Sequence, residues 1–272
     1  MKTLYFLIFL VFSISLSAQT EISNLSELQK IYFISETNGL TGNTVNPAAL
    51  GIRNNDDGLL LSYDFMDKPD QGNKLVSLSM GNLGFVYQDI DNLGNLNLSS
   101  YAFNLSVGGD FLSIGSTNKI INIDYGDYNK SYFIINLGAI IQPVSFVSIA
   151  FTANNIGNSS IDSVKYDQIY TLGGRIAVFK FIDLFIQSDF KDSSELNTNV
   201  QTSVGFSLTP LKFLEFRGWL KGTKNLVNEG ILSAGLKIEN GVIITSSVHI
   251  NSEREKMRYN LMMALPLKTI SF

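Results

Sequence analysis

From Gly58 to Phe272, short alternating segments follow one another, joined in turn by a tight connection and then a longer polar one. Four consecutive stretches define the unit: Gly138 to Asn155, Gly174 to Phe190, Gly205 to Lys221 and Gly235 to Ile250. Each opens on Gly, turns soon afterwards at Pro143, Lys180, Pro210 or Asn240, and runs out again as a second strand. The glycines lie 36, 31 and 30 positions apart, so one hairpin unit repeats. Hairpins with short turns on one side and long loops on the other build a membrane β-barrel.

Counting such segments predicts fourteen strands: 59–66, 74–80, 83–88, 98–107, 110–117, 131–141, 145–154, 168–179, 182–190, 199–208, 213–221, 230–238, 241–250 and 257–267. Asn118 to Lys130 and Ile156 to Asp167 read as outer loops, rich in Asp, Asn and Lys. An even count returns both ends of the barrel to one side of the membrane, so the expected fold is all-β: a transmembrane antiparallel barrel of about fourteen strands.

Alternation assigns the two faces, because neighbours along a strand point to opposite sides. Ile182, Leu184, Ile186 and Phe190 oppose Asp183, Gln187 and Asp189. Likewise Val200, Val204, Phe206 and Leu208 oppose Gln201, Ser203 and Ser207, and Leu214, Phe216 and Leu220 oppose Glu215, Arg217 and Lys221. The apolar sets are expected to meet lipid. Asp183, Gln187, Asp189, Glu215, Arg217 and Lys221 are expected to face the lumen. Strands 131–141 and 145–154 are apolar on both faces. That pattern fits either a wall packed against a plug or a greasy lumen that accepts an apolar ligand.

Residues 1–18 read as a signal peptide, with Lys2, an apolar run from Leu4 to Ile14 and a small-residue site before Gln19. The run of eleven is too short to cross a bilayer as a helix. With no Cys there is no disulfide, acylation or zinc-thiolate chemistry. Charged residues make up 16% against about 25% in soluble domains, and aromatics reach 11%, a balance suited to a lipid-facing surface. A net charge of −4 and a pI near 5.1 give no footprint for nucleic acid.

Residues 19–57 do not alternate. Asn24 and Glu27 have the spacing of a capping box, predicting a short helix through Leu25, Leu28, Ile31 and Tyr32. From Asn38 to Gly51 the density of Gly and Asn predicts tight irregular backbone. Such backbone cannot face lipid but fits inside a lumen, so this segment is expected to plug the barrel from the periplasmic side. The domains are thus 1–18, 19–57 and a barrel over 58–272.

The stretch TVNPAALGIRNNDDGLLLSYDF resembles the plug-to-barrel junction of the long-chain fatty-acid transporter superfamily. Its hairpins are also similar to the shuttle-type barrels of type IX secretion and to the amino-terminal barrel region of some signal peptide peptidase A proteins. The resemblance implies an N-terminal hatch and carries over only Asn46, Pro47, Ala48, Leu50 and Gly51, as junction positions. Ile270 and Phe272, ending an amphipathic strand, resemble the signal read by the outer-membrane assembly machinery. The implied function is a plugged outer-membrane barrel passing small hydrophobic molecules. The alternative is a scaffold barrel of a secretion or surface-assembly system. Expected partners are outer-membrane lipid, the assembly machinery, and a hydrophobic small molecule or a secretion-system component, with no nucleic acid.

No cofactor, metal or enzymatic activity is expected. A nucleophilic triad needs a His base, and the single His249 shares a strand face with Ser247 without an acid nearby in that strand. Asp56–Asp57 and Asp124–Asp127 lack the ligand spacing of a calcium loop.

Overall fold

The computed structural model describes residues 32–37, 39–52, 57–65, 72–91, 97–125, 128–156, 160–161, 164–165, 168–191, 200–223, 226–238, 242–251 and 257–267. The expected signal peptide, the helix expected from Asn24 (except Tyr32), and the expected assembly signal at Ile270 and Phe272 lie outside the described residues.

The barrel strands in its first half are β1 (Gly58–Phe65), β2 (Gly72–Met80), β3 (Leu83–Asp91), β4 (Asn97–Gly108), β5 (Leu112–Tyr125), β6 (Tyr128–Val144) and β7 (Val147–Ile156). Two short strands, β8 (Ser160–Ile161) and β9 (Val164–Lys165), pair only with each other. The second half comprises β10 (Ile169–Phe179), β11 (Ile182–Lys191), β12 (Val200–Leu211), β13 (Leu214–Thr223), β14 (Leu226–Lys237), β15 (Ile243–Asn251) and β16 (Met257–Pro266). Each strand pairs antiparallel with the next around the ring, and β1 pairs with β16 to close it. The fold is therefore a closed fourteen-stranded antiparallel barrel.

Period-two alternation produces this wall. Leu137, Ile149, Leu172, Ile186, Leu220, Leu232 and Leu261 point outward and are 46–62% exposed. Between them along the strands, Ser77, Asn104, Ser148, Thr152, Ser203 and Ser247 point inward and are buried. An exposed apolar band on this scale suits lipid, not water.

Two expectations about connections are corrected. Asn118 to Lys130 is not a loop: β5 and β6 run through it, pairing Ile120 with Phe133 and Ile123 with Lys130, and join across 126–127. Its Lys and Asn residues read as loop-like, but a lumen tolerates polar side chains on alternate positions. The turns are also displaced from Pro143 and Pro210, which lie inside β6 and β12. The chain reverses at Ser145–Phe146 and Lys212–Phe213. Register shifts between Ile141 and Val144, and between Leu208 and Leu211, place each proline in a bulge, where its missing N–H costs no ladder bond.

A phenylalanine ends four successive tight turns. The carbonyls of Phe111, Phe146, Phe181 and Phe213 accept the N–H groups of Gln142, Ala177, Thr209 and Lys237 on the following hairpins, each at 2.8 Å. The rings of all four are exposed. They rim the apolar band at the short-turn end, while stacked Phe65 and Tyr259 (5.7 Å) and paired Tyr87 and Tyr101 (5.1 Å) lie farther toward the long-loop end.

Segment 32–52 sits inside the barrel and makes most of its core. Leu40, on the short helix α1 (Gly39–Gly42), packs against Leu60, Leu75, Val86, Ala102, Met262 and Ala264. Ile34, Ala48, Ala49 and Ile52 pack on Ile140 and Ala150. Phe33 stacks on Phe185 at 4.8 Å, beside Trp219 and Ile231. The two-faced apolar hairpin β6–β7 is thus a wall packed against a plug in its lower part, while Ile135, Leu137, Ile141, Ile149 and Phe151 lie on its outer face.

Candidate functional site

The plug's anchor is the turn at Asn46. The Asn46 side chain accepts the Ala48 N–H at 3.0 Å, capping a single 3₁₀ turn over Pro47–Gly51. Proline fits the first position because its missing N–H would have no partner there. The same amide donates to the Ile34 carbonyl at 2.9 Å, tying the two arms of the plug together. Ser113 Oγ donates to the Ala48 carbonyl at 2.6 Å, and Ser148 Oγ to the Ser35 carbonyl at 2.6 Å. Asn46, Pro47, Ala48, Leu50 and Gly51 are all buried inside the wall.

Glycines on the wall's inner face make room for this turn. Gly115 and Gly138 stand opposite each other on β5 and β6. A Cβ at Gly115 would lie 2.6 Å from the Pro47 carbonyl carbon, and one at Gly138 would meet Asn46 Oδ1. Gly205 faces the Phe33 ring in the same way, at 2.6 Å. In β10 the plug-facing residue is Gly173, which meets Ile34, and not the repeat's Gly174, which points outward. Of the repeat's four glycines, Gly138 and Gly205 thus mark close approach by the plug, while Gly235 meets only Thr245 and Ile244 of the wall.

A charged cluster joins plug to wall. Arg217 Nη1 donates to both Glu36 oxygens at 2.8 Å, Arg217 Nε donates to Glu215 Oε1 at 2.8 Å, and the guanidinium lies 4.6 Å from the Tyr32 ring centroid. Ser207 Oγ also donates to Glu215 Oε1 at 2.8 Å. Burial pushes the Glu36 carboxyl above its ordinary pKa, with Arg217 opposing, and burial likewise raises the Tyr32 phenol, which stays neutral. The other predicted lumen residues form adjoining pairs. Arg175 donates to Asp183 at 3.0 Å and Lys221 to Asp189 at 3.0 Å, while Gln187 accepts the Ile34 N–H at 3.2 Å. Sequence reasoning missed Glu36. Its signal was available: it is the sole charged residue between Tyr32 and Ile52.

On the long-loop side of the plug lies a cavity of about 230 Å³. Tyr32, Phe33, Thr44, Val45 and Pro47 contribute from the plug, and amides and hydroxyls dominate the wall, among them Gln88, Ser100, Asn136, Thr152, Asn154 and Thr171. Lys119, also missed by sequence reasoning, lines it from β5. Lys119 makes no hydrogen bond or ion pair with any described residue.

The weaker chemical candidates do not assemble. His249 Nε2 lies 3.6 Å from Glu229 Oε2 on the neighbouring strand, so pairing supplies the acid that its own strand lacks. Ser247 is buried on the same face, but no hydrogen bond joins it to His249 among the described residues. Asp57 accepts the Gly81 N–H at the foot of the barrel. No group of His, Cys, Asp and Glu suited to a metal occurs among the described residues.

No protein-family model and no curated protein matches the sequence. The structure is similar to that of a FadL homologue of Pseudomonas aeruginosa, with a TM-score of 0.60 and 9% identity over 94% of this chain and 100% of that one. It is also similar to the CymD monoaromatic hydrocarbon channel, with a TM-score of 0.57 and 11% identity over 83% of this chain and 91% of that one. At these identities the likeness is one of fold alone, that of a closed antiparallel β-barrel.

Proposed function

We propose that this chain is an outer-membrane barrel that passes small molecules, with residues 32–52 as its gate. The observation that carries this reading is the pairing of a seated plug with a cavity directly beyond it. The plug is tied to the wall by polar contacts that can exchange with water, such as Glu36–Arg217, Asn43–Ser77 and Ser148–Ser35. A segment that only filled the barrel could be wholly apolar.

Hydrophobic solutes, as the resemblance implies, find support in the shared fold with a hydrocarbon channel and in Val86, Ala102 and Ile121 of the cavity wall. The amides and hydroxyls that make up most of the lining favour a hydrophilic solute, and this is the reading adopted. The scaffold alternative, including an accessory role in a secretion system, draws on the number of plug–wall links.

Flux into liposomes tests the proposal. Deleting residues 20–50, or the milder Glu36→Gln, should raise passage of a small neutral solute while the barrel retains its heat-modifiable migration. Unchanged flux through an intact barrel would overturn the channel reading and favour the scaffold.

A further inference from the structure

We infer that the cavity beyond the plug is a binding site for a small hydrophilic acid, a singly charged carboxylate carrying hydroxyl groups, with Lys119 as its anchoring cation. This rests on the channel reading and names its substrate class.

The argument begins with charge. Among the described residues, three charged side chains line the cavity: Lys119, Lys221 and Asp189. Lys221 and Asp189 neutralise one another at 3.0 Å, and Thr171 Oγ1 adds a bond to Asp189 at 2.9 Å. Lys119 has no counterpart among the described residues, whose lining side chains therefore carry one uncompensated positive charge. Its cross-strand neighbours are Ala102 and Ile134, neither of which can accept a hydrogen bond through its side chain. Lys119 is half-buried, and an unpaired ammonium partly shielded from water gains from a carboxylate partner. A dianion such as phosphate would replace one unpaired charge by another.

The remaining lining indicates what the acid carries. Gln88, Asn154 and Gln201 bring amides to the cavity, groups that both donate and accept. Beside them stand Ser100, Asn136 and Thr152. Hydroxyl groups both donate and accept, so a polyhydroxylated acid can meet both kinds of group, whereas an alkyl chain leaves them unpaired. Cavity size confines the solute to a compact molecule.

Trp219 is the sole tryptophan of the chain and lines this cavity, so its fluorescence reports occupancy directly. The full chain in neutral detergent would be titrated with sodium gluconate, its uncharged counterpart sorbitol, sodium phosphate and sodium octanoate. The expected result is saturable binding of gluconate, with sorbitol weaker by about tenfold or more. Lys119→Gln should abolish that discrimination and Lys119→Arg should keep it, both with wild-type circular dichroism. Should Lys119→Gln fail to fold, the wild-type contrast between gluconate and sorbitol still reads the charge. Equal binding of gluconate and sorbitol, unaltered discrimination in folded Lys119→Gln, or no saturable binding of any probe would overturn the site. Tighter binding of phosphate or octanoate than gluconate would overturn the assigned class. These readouts concern occupancy and not passage, so they fail independently of the flux measurement that tests the channel.

Discussion

Removing Arg217 should release the plug far more effectively than removing Glu36, although the two form one ion pair. Glu36 is 5% exposed and takes both of its charged bonds from Arg217 Nη1 at 2.8 Å. Arg217 also holds Glu215. In Arg217→Met two carboxylates lose their shared cation, and stranding buried charge in this way costs about 3–5 kcal/mol. In Glu36→Gln the guanidinium keeps Glu215, and an amide oxygen remains to accept, so the loss is about 1–3 kcal/mol. The strand ladder is intact in both variants, and the deficit falls on the plug–wall contact. A cost of 3 kcal/mol moves a seated-to-released equilibrium by about a hundredfold. Limited proteolysis of segment 32–52, alongside liposome flux and thermal melting of the barrel, separates release from unfolding. Arg217→Met should give faster cleavage and greater flux with barrel melting unchanged, and Glu36→Gln a smaller effect in the same direction. Glu36→Gln equalling Arg217→Met, or neither variant exposing the plug, would refute the reasoning.

Gly115→Ala should displace the plug, because its new Cβ would lie 2.6 Å from Pro47 backbone; we expect about 1–3 kcal/mol, read by denaturant titration, with Gly109→Ala, which meets nothing within 4 Å, as the neutral comparison. Asn46→Ala removes the cap on Ala48 and the tie to Ile34 at a fully buried position, and should cost about 2 kcal/mol in the same titration. Ile186→Arg on the outer face of β11 should cost about 2–4 kcal/mol on refolding into vesicles, while Gln201→Lys in the lumen should be nearly neutral; equal costs would mean that the faces are reversed.

The barrel was largely legible in the sequence because its signal is local. Alternation along Ile182 to Phe190 separates two faces within one strand, and a short turn beside a long loop can be seen without knowing what pairs with what. Even the plug's turn shows itself, since Asn-Pro followed by small residues restricts its own backbone. The misreadings were local conflicts that pairing resolved. Pro143 and Pro210 read as turns until the register placed them in bulges, and the polar run from Asn118 read as a loop until Phe133 and Lys130 paired with it. What the tertiary structure alone decided is which residues meet across the lumen. Glu36 and Arg217 are 181 positions apart, and Asn43 bonds Ser77 and Asn104 on separate strands. Lys119 reads as an ordinary loop lysine until closure of the ring turns it inward, away from every acidic partner among the described residues. Periodicity specifies a face for each side chain. Only closure of the wall around the plug specifies its neighbour, because that depends on strand register and shear summed around fourteen strands.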